Sequence, residues 1–103
     1  MSAETGPIVV HPDPDLEDII PGYLDNRRNE LPALKTALAD NDFETLKILG
    51  HRMKGSGAGY GFDGITDIGF IIEMGARDEN SEAIASGIEQ LLSYLERVEV
   101  VYE

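Results

Sequence analysis

His51 is the side chain in this sequence best placed to do chemistry, because lysines flank it at positions that share one helix face. In a helix, Lys47 at i−4 and Lys54 at i+3 lie beside the imidazole. Gly55 and Ala58, at i+4 and i+7, leave the rest of that face almost bare. Nearby ammonium groups favour the neutral imidazole, which is the nucleophilic form, and they attract phosphoryl oxygens. The pattern therefore indicates a histidine that accepts a phosphoryl group.

The apolar residues around His51 indicate which side of its helix is buried. At about 100° per residue, one face collects the apolar side chains Leu46, Leu49, Met53 and Tyr60. His51 lies roughly 160° from Leu49 and Met53 on this projection and is predicted to be exposed. Ser56 is predicted to lie on the side opposite His51, hydrogen-bonded within or between helices. Lys54, as an exposed lysine, is expected to contribute little to stability.

Five glycines lie between residues 50 and 61, although each glycine costs a helix ~1 kcal/mol relative to alanine. Small residues are required where another backbone approaches closely. Gly57, near the apolar face, is predicted to contact a neighbouring helix. Gly55, beside His51, is predicted to leave room for a docking partner.

A metal site is the main chemical alternative for a surface histidine. Metal ions need several ligands, and His51 has no histidine or carboxylate at i±3 or i±4. The sequence also contains no cysteine. Asp63, Asp67 and Glu73 would serve a small acidic enzyme or metal carrier, but carboxylates on helix surfaces are usually solvated. We therefore predict no metal or cofactor site and rank this alternative behind phosphoryl transfer.

The overall charge argues against several classes of partner. Twenty acidic residues against eight basic ones give a net charge of −12, which repels nucleic acid and anionic membrane surfaces. The segment from Phe43 to Gly61 is the exception, with three basic residues and one acidic residue. The sequence shows neither a membrane-spanning apolar run nor a signal sequence, and its lack of cysteine fits a reducing compartment. We therefore expect a cytoplasmic protein.

Helix start signals divide the chain into a tail and one domain. Residues 1–12, including His11, show no periodicity and are predicted to form a flexible tail before a domain of residues 13–103. Asp13-Pro14 is typical of a helix start and predicts a short helix there. We expect Pro21-Gly22 to interrupt this helix.

The first two long helices are predicted on either side of a polar break. The first resumes at Tyr23 and is expected to bend at Pro32, which removes a backbone donor. Asn41, with Glu44 three residues later, is typical of a capping box that opens the second helix. That helix carries His51 and is expected to end between Gly61 and Gly64.

Two further amphipathic helices are predicted after the second helix ends at Gly61 to Gly64. Residues at helical spacing mark the third, which ends in the polar run 77–80: Ile65, Ile68, Ile72 and Ala76. Ser81 is expected to cap the fourth, whose apolar stripe is Ile84, Ile88, Leu91, Leu95, Val98 and Tyr102. Strands are suggested only at Ile8 to Val10 and Val98 to Tyr102, and we reject both as too short. The pattern predicts an all-α fold, an antiparallel four-helix bundle with a short extra N-terminal helix.

Residues 51–61, with the sequence HRMKGSGAGYG, resemble the signature of the histidine phosphotransfer (HPt) domain family. That signature runs histidine, any residue, a large apolar residue, lysine, glycine, and then small residues to a closing glycine. The resemblance extends over about residues 16–100. It implies a four-helix bundle in which His51 is the phosphoacceptor, Lys54 supports the phosphoryl group and Gly55 leaves room for the receiver. Met53 stands where leucine is usual, a change that conserves volume.

The resemblance also implies a function and its partners. The chain would relay a phosphoryl group between aspartates of receiver domains in a two-component phosphorelay, as a carrier rather than an enzyme. The implied partners are response-regulator receiver domains and a sensor or hybrid histidine kinase. We expect partner contacts at Lys47, Arg52, Gly55 and Ala58. Magnesium is expected in the partner receiver, and no cofactor in this chain.

One further alternative is a docking module of the same fold that has lost phosphorylation. Intact His51, Lys54 and Gly55 argue against it, because an adaptor has no need of a nucleophile. We expect a monomer. The initiating Met1 and the end at Glu103 favour a free-standing protein over a domain of a hybrid kinase.

Overall fold

Four α-helices form the structure, and each contacts two others in a closed ring. The computed structural model describes residues 6–102. Its helices are α1 (Ile20–Ala39), α2 (Phe43–Ser56), α3 (Asp63–Arg77) and α4 (Ser81–Arg97). The largest contact is between α2 and α3; α3 also packs on α4, and α1 packs on α2 and α4. The predicted all-α four-helix bundle is confirmed.

The interior of the bundle is formed by aliphatic and aromatic side chains from all four helices. The largest fully buried side chains are Ile20, Leu34, Leu46, Met53, Phe62, Ile65, Ile72, Ile84 and Leu91. Leu46 and Met53 come from the predicted apolar face of α2, and Leu49 and Tyr60 are partly buried against the core. Burial of this face stabilises α2 through the hydrophobic effect, which scales with the apolar area removed from water. It also fixes which residues of α2 face solvent.

Helices α2 and α4 are capped one residue away from the predicted positions. Asp42, not Asn41, caps α2, and its carboxylate accepts hydrogen bonds from the backbone nitrogen of Thr45 at 3.2 Å and the Thr45 hydroxyl at 2.7 Å. Asn41 instead has φ of 55°, a left-handed conformation that asparagine tolerates in the turn after α1. In the same way Asn80, not Ser81, caps α4 by accepting from the backbone nitrogen of Ala83 at 3.1 Å.

Prolines affect the N-terminal part of the bundle less than predicted. Asp13 caps a short 3-10 helix over Pro14–Leu16, which confirms the extra N-terminal helix. The predicted interruption at Pro21-Gly22 is wrong, because α1 already begins at Ile20 and Pro21 lies in its first turn. A missing backbone N–H costs little there, because the N–H groups of the first helical turn have no acceptor within the helix. Helix α1 also continues through Pro32 to Ala39.

The two short segments rejected as strands pair with each other. β1 (Ile8–Val10) and β2 (Val98–Val100) form a parallel two-stranded sheet, with Ile8 opposite Val98 and Val10 opposite Val100. The prediction of a flexible tail is therefore wrong for Ile8–Val10, and the predicted extension of α4 through Val98 to Tyr102 is wrong as well. Each strand is too short to be stable alone, but each supplies the backbone partners of the other. Residues 1–5 of the predicted tail lie outside the described residues.

Candidate functional site

His51 lies on the solvent side of α2. Its side chain is 67% exposed, while Met53 is fully buried and Gly50 is buried against α3. The orientation predicted from the apolar face of α2 is therefore confirmed. Ser56 lies on another side of α2, where its hydroxyl is 2.8 Å from the hydroxyl of Tyr23 on α1. This contact confirms the structural hydrogen bond predicted for Ser56, and it shows that the bond is between helices.

Two glycines let the backbones of α2 and α3 approach closely beside His51. A Cβ atom on Gly50 would lie 2.6 Å from the backbone nitrogen of Glu73 and 2.9 Å from the carbonyl oxygen of Gly69. A Cβ atom on Gly69 would collide with the backbone of Lys54. Both positions therefore require glycine. The close approach brings Glu73 of α3 next to the imidazole on α2.

Glu73 is the central residue of the site, and it was not predicted to be. Its side chain is only 8% exposed, and its Oε2 lies 3.0 Å from Nδ1 of His51. Its Oε1 lies 2.7 Å from Nζ of Lys54. The prediction that Glu73 is an ordinary solvated carboxylate is wrong, because the Gly50–Gly69 contact draws its part of α3 against α2. A signal was present in the sequence, since Gly69 lies one helical turn before Glu73.

The charges around Glu73 keep its carboxyl ionised. Lys54 lowers the pKa of Glu73; burial opposes this shift, and His51 adds a smaller lowering effect. An ionised carboxylate is only an acceptor, so Nδ1 of His51 must carry the hydrogen in this contact. The second ring nitrogen, Nε2, then holds the lone pair on the exposed imidazole. Glu73 thereby selects the tautomer of His51.

The two flanking lysines differ in their surroundings. Lys54 is 35% exposed, and in addition to its contact with Glu73 its ammonium lies 5.9 Å from the ring centroid of Phe70. It is therefore not the freely solvated lysine that the sequence predicted. Lys47 is more exposed, with Nζ 3.6 Å from a carboxylate oxygen of Glu44. A solvent-exposed pair at this distance is weak and leaves Lys47 available to a partner.

The predicted partner-binding residues are all exposed, but they do not all lie on α2. A Cβ atom on Gly55 would meet nothing within 4 Å, so the space above this part of α2 is open. Arg52 is exposed on the same helix. Ala58 lies beyond the end of α2, in a 3-10 helix over Ala58–Tyr60, so its predicted place on the helical face of His51 is wrong. The helix ends early because the Thr66 hydroxyl of α3 replaces its next backbone bond: this hydroxyl accepts from the Ala58 N–H at 2.7 Å and donates to the Lys54 carbonyl at 3.0 Å. Gly57 packs against Thr66, which confirms the predicted contact of that glycine with a neighbouring helix.

Side chains of α3 complete the surface around His51, and sequence reasoning missed them. A cleft of about 430 Å³ lies between α2 and α3, and Lys47, Ile48, Arg52, Glu73 and Arg77 line it together with His51. Phe70 lies near Lys54 and is half exposed. In the sequence, Phe70 is a large apolar residue outside the predicted apolar stripe of α3, and this was a second signal for the surface.

The described residues show neither a metal-binding cluster nor a membrane-spanning helix. Among residues 6–102, no three histidine, aspartate or glutamate side chains are grouped so as to hold a metal ion. Within the same residues, no helix has the length and apolar character that crossing a membrane requires.

Comparison with known proteins identifies the family. Neither a curated protein nor a solved structure matches the chain. Residues 18–100 match the family described as the Hpt domain, and this stretch contains α1 to α4 with His51. Domains of this family are phosphocarrier modules of histidine phosphotransfer in phosphorelays. Since the match spans well over half of the sequence, the chain belongs to the Hpt domain family.

Proposed function

We propose that His51 accepts a phosphoryl group from the phosphoaspartate of a receiver domain, or from a histidine kinase, and passes it to the aspartate of another receiver. The observation that carries this proposal is the contact of Nδ1 of His51 with the buried carboxylate of Glu73, at 3.0 Å. It leaves Nε2 as the nucleophile on a side chain that is open to a partner.

The transfer step follows from this tautomer. The lone pair of Nε2 forms the N–P bond while the bond between phosphorus and the aspartate oxygen breaks, and the aspartate leaves as a carboxylate. The imidazole then carries phosphorus on Nε2 and hydrogen on Nδ1, and so bears a positive charge. Glu73 stabilises that charge through its contact with Nδ1, as a carboxylate does for the histidine of a catalytic triad. Return of the phosphoryl group to a receiver reverses these steps.

Lys54 supports the phosphoryl group in this proposal. It lies one turn along α2 from His51, and Glu73 holds its ammonium beside the imidazole. From there the ammonium neutralises phosphoryl oxygens as charge develops on them. Phosphoryl transfer also needs a divalent metal, which we assign to the receiver or kinase because this sequence has no glycine-rich nucleotide loop. The chain is thus a carrier without a cofactor of its own.

The partner docks over the exposed face of α2 and the start of the following 3-10 helix. Lys47, Arg52, Gly55 and Ala58 are the residues of this surface that we assign to partner contact. The cations suit the acidic active site of a receiver, and the small residues leave room for it. All the residues that we assign to this chain's part in transfer lie in one copy, and in this proposal the protein acts as a monomer. We place it in the cytoplasm, with receiver and kinase domains as partners.

Phosphorylation of the isolated protein tests the proposal. Incubation with phosphoramidate, or with a phosphorylated receiver, is expected to give an acid-labile, base-stable label. His51→Gln is expected to abolish the label, and His11→Gln serves as the matched control that retains it. Label that survives His51→Gln but disappears on His11→Gln would overturn the assignment of the phosphoacceptor.

A further inference from the structure

Most basic side chains of this chain have a partner, and the exceptions are not randomly placed. Within residues 6–102, five of the eight have an ion pair or a hydrogen bond: Arg27, Arg28, Lys47, Lys54 and Arg97. The side chains of Lys35, Arg52 and Arg77 have neither in this part of the chain. Arg52 and Arg77 line the same cleft beside His51. In a protein with twenty acidic residues, two arginines that line one cleft and have no carboxylate partner within residues 6–102 require an explanation.

The cleft between α2 and α3 carries an excess of positive charge. Lys47 and Arg52 contribute two charges from α2, and Arg77 contributes one from the last turn of α3. Among the residues that the structure describes, Glu73 is the one carboxylate in the lining, and Lys54 already balances its charge from outside the cleft. The cleft is therefore an attractive site for an anion on an otherwise acidic molecule.

Apolar side chains next to these arginines indicate a protein ligand rather than a free ion. Ile48 lines the cleft and is 42% exposed, and Phe70 on the other side of the site is 50% exposed. Exposed aliphatic and aromatic side chains beside arginine are typical of the centre of a protein interface. A small hydrated anion would gain nothing from them.

We propose that Arg52 and Arg77 together bind a carboxylate side chain on the docking surface of the partner receiver, and that Arg77 thereby selects which receivers dock. This inference rests on the proposed function of His51 and adds a second contact to it. A guanidinium group donates two parallel hydrogen bonds to a carboxylate, which gives a geometric preference that a lysine does not provide. Lys54 contacts Glu73 and the phosphoryl group, whereas Arg52 and Arg77 contact the partner.

Charge reversal with a matched control tests the inference. Arg52→Glu and Arg77→Glu are compared with Lys35→Glu, which makes the same change of charge at an exposed lysine of α1 that has no ion pair within the described residues. Affinity for purified receiver domains is measured at low and high salt. We expect the two arginine variants to lose about tenfold or more in affinity and Lys35→Glu to lose less than about twofold. The salt dependence of binding should also become shallower in the arginine variants alone.

Two further variants separate docking from a structural role. Arg77→Lys keeps the charge but loses the paired donors, and it should bind with an affinity between those of the wild type and Arg77→Glu. A receiver in which one acidic residue of the docking surface is replaced by arginine should recover binding to Arg77→Glu. A role of Arg77 in folding alone would not produce such recovery.

The outcomes distinguish this inference from the proposed function. Arg77→Glu binding receivers as well as Lys35→Glu overturns the inference. Wild-type protein that is labelled by phosphoramidate at His51 but binds none of the receivers at low salt also overturns it, while the phosphoacceptor assignment stands. Failure of His51 to be labelled overturns the proposed function; selective loss of receiver binding in the arginine variants then still supports the docking site.

Discussion

Nζ of Lys54 lies 2.7 Å from Oε1 of Glu73, while the other oxygen of that carboxylate contacts His51. Oε1 is buried, and the Lys54 ammonium is its one hydrogen-bonding and charge partner within residues 6–102. Lys54 therefore has a structural role in addition to its proposed contact with the phosphoryl group. The sequence-based expectation that Lys54 adds little to stability does not allow for this pair.

Removal of the Lys54 ammonium should destabilise the protein. Lys54→Ala leaves a buried carboxylate without its counter-charge, and the free energy of unfolding should fall by about 1–3 kcal/mol. Lys35→Ala is the control, because Lys35 is exposed and unpaired within the described residues; its effect should stay below about 0.5 kcal/mol. Urea unfolding at pH 7 measures both. Equal stability of the two variants would show that Lys54 is solvated after all.

The charge of Glu73 should matter more than its hydrogen bond. Glu73→Gln still offers an oxygen to Nδ1 of His51, but it cannot stabilise positive charge on the phosphorylated imidazole. Transfer from a phosphorylated receiver should slow about tenfold, equivalent to ~1.4 kcal/mol in the barrier. Glu73→Leu removes both functions and should slow it further. Wild-type rates in Glu73→Gln would mean that Glu73 only orients the ring.

The lowered pKa of Glu73 predicts a specific loss of stability in acid. Because Lys54 lowers this pKa in the folded state, the unfolded chain binds the proton more readily. The contribution of ionised Glu73 to the free energy of unfolding is complete above its ordinary pKa of 4.5. It is lost as the pH falls through the lowered pKa of the folded state. Urea unfolding of wild type and Glu73→Gln from about pH 7 to pH 3 should therefore show a steeper loss in the wild type. If the free energies of unfolding of the two proteins fell in parallel with pH, the ion pair between Glu73 and Lys54 would be contradicted.

Periodicity predicted the parts of the site that depend on one helix alone. The exposure of His51 and the inward position of Ser56 follow from the apolar face of α2, whatever that face packs against. The burial of Glu73 depends instead on how α2 and α3 are aligned, which Gly50 and Gly69 determine together. On α3 itself the sequence offers only Gly69, one turn before Glu73, and that glycine does not show which helix it packs against.

The N-terminal strand was missed for a related reason. Ile8–Val10 and Val98–Val100 are each too short for a reliable period-two pattern, and they lie at opposite ends of the sequence. Their pairing is visible only once the helices bring β2 beside the N-terminal segment. The family signature could not reveal Arg77 either, since it covers residues 51–61 and Arg77 lies at the end of α3.

Gly50 should be intolerant of even the smallest side chain. In Gly50→Ala the added Cβ atom meets backbone atoms of Glu73 and Gly69, which cannot move aside as a flexible side chain does. The helices must separate, and we expect a loss of about 1–3 kcal/mol despite the better helix propensity of alanine. Thermal melts measure the loss. A melting temperature at or above that of the wild type would show that α2 and α3 adjust without cost.

Gly55 should show the opposite behaviour, because its surroundings are empty within 4 Å. Gly55→Leu gains up to ~1 kcal/mol of helix propensity and should keep its helical circular dichroism and melting temperature. Its side chain nevertheless stands one turn beyond His51, in the space that a receiver must enter. Receiver binding and phosphotransfer should be lost, since in-line transfer tolerates little displacement of the reacting atoms. Thermal melts and transfer assays are made on one preparation of Gly55→Leu. Phosphotransfer at the wild-type rate would contradict the docking role of Gly55. A large fall in melting temperature would show that Gly55 serves internal packing instead.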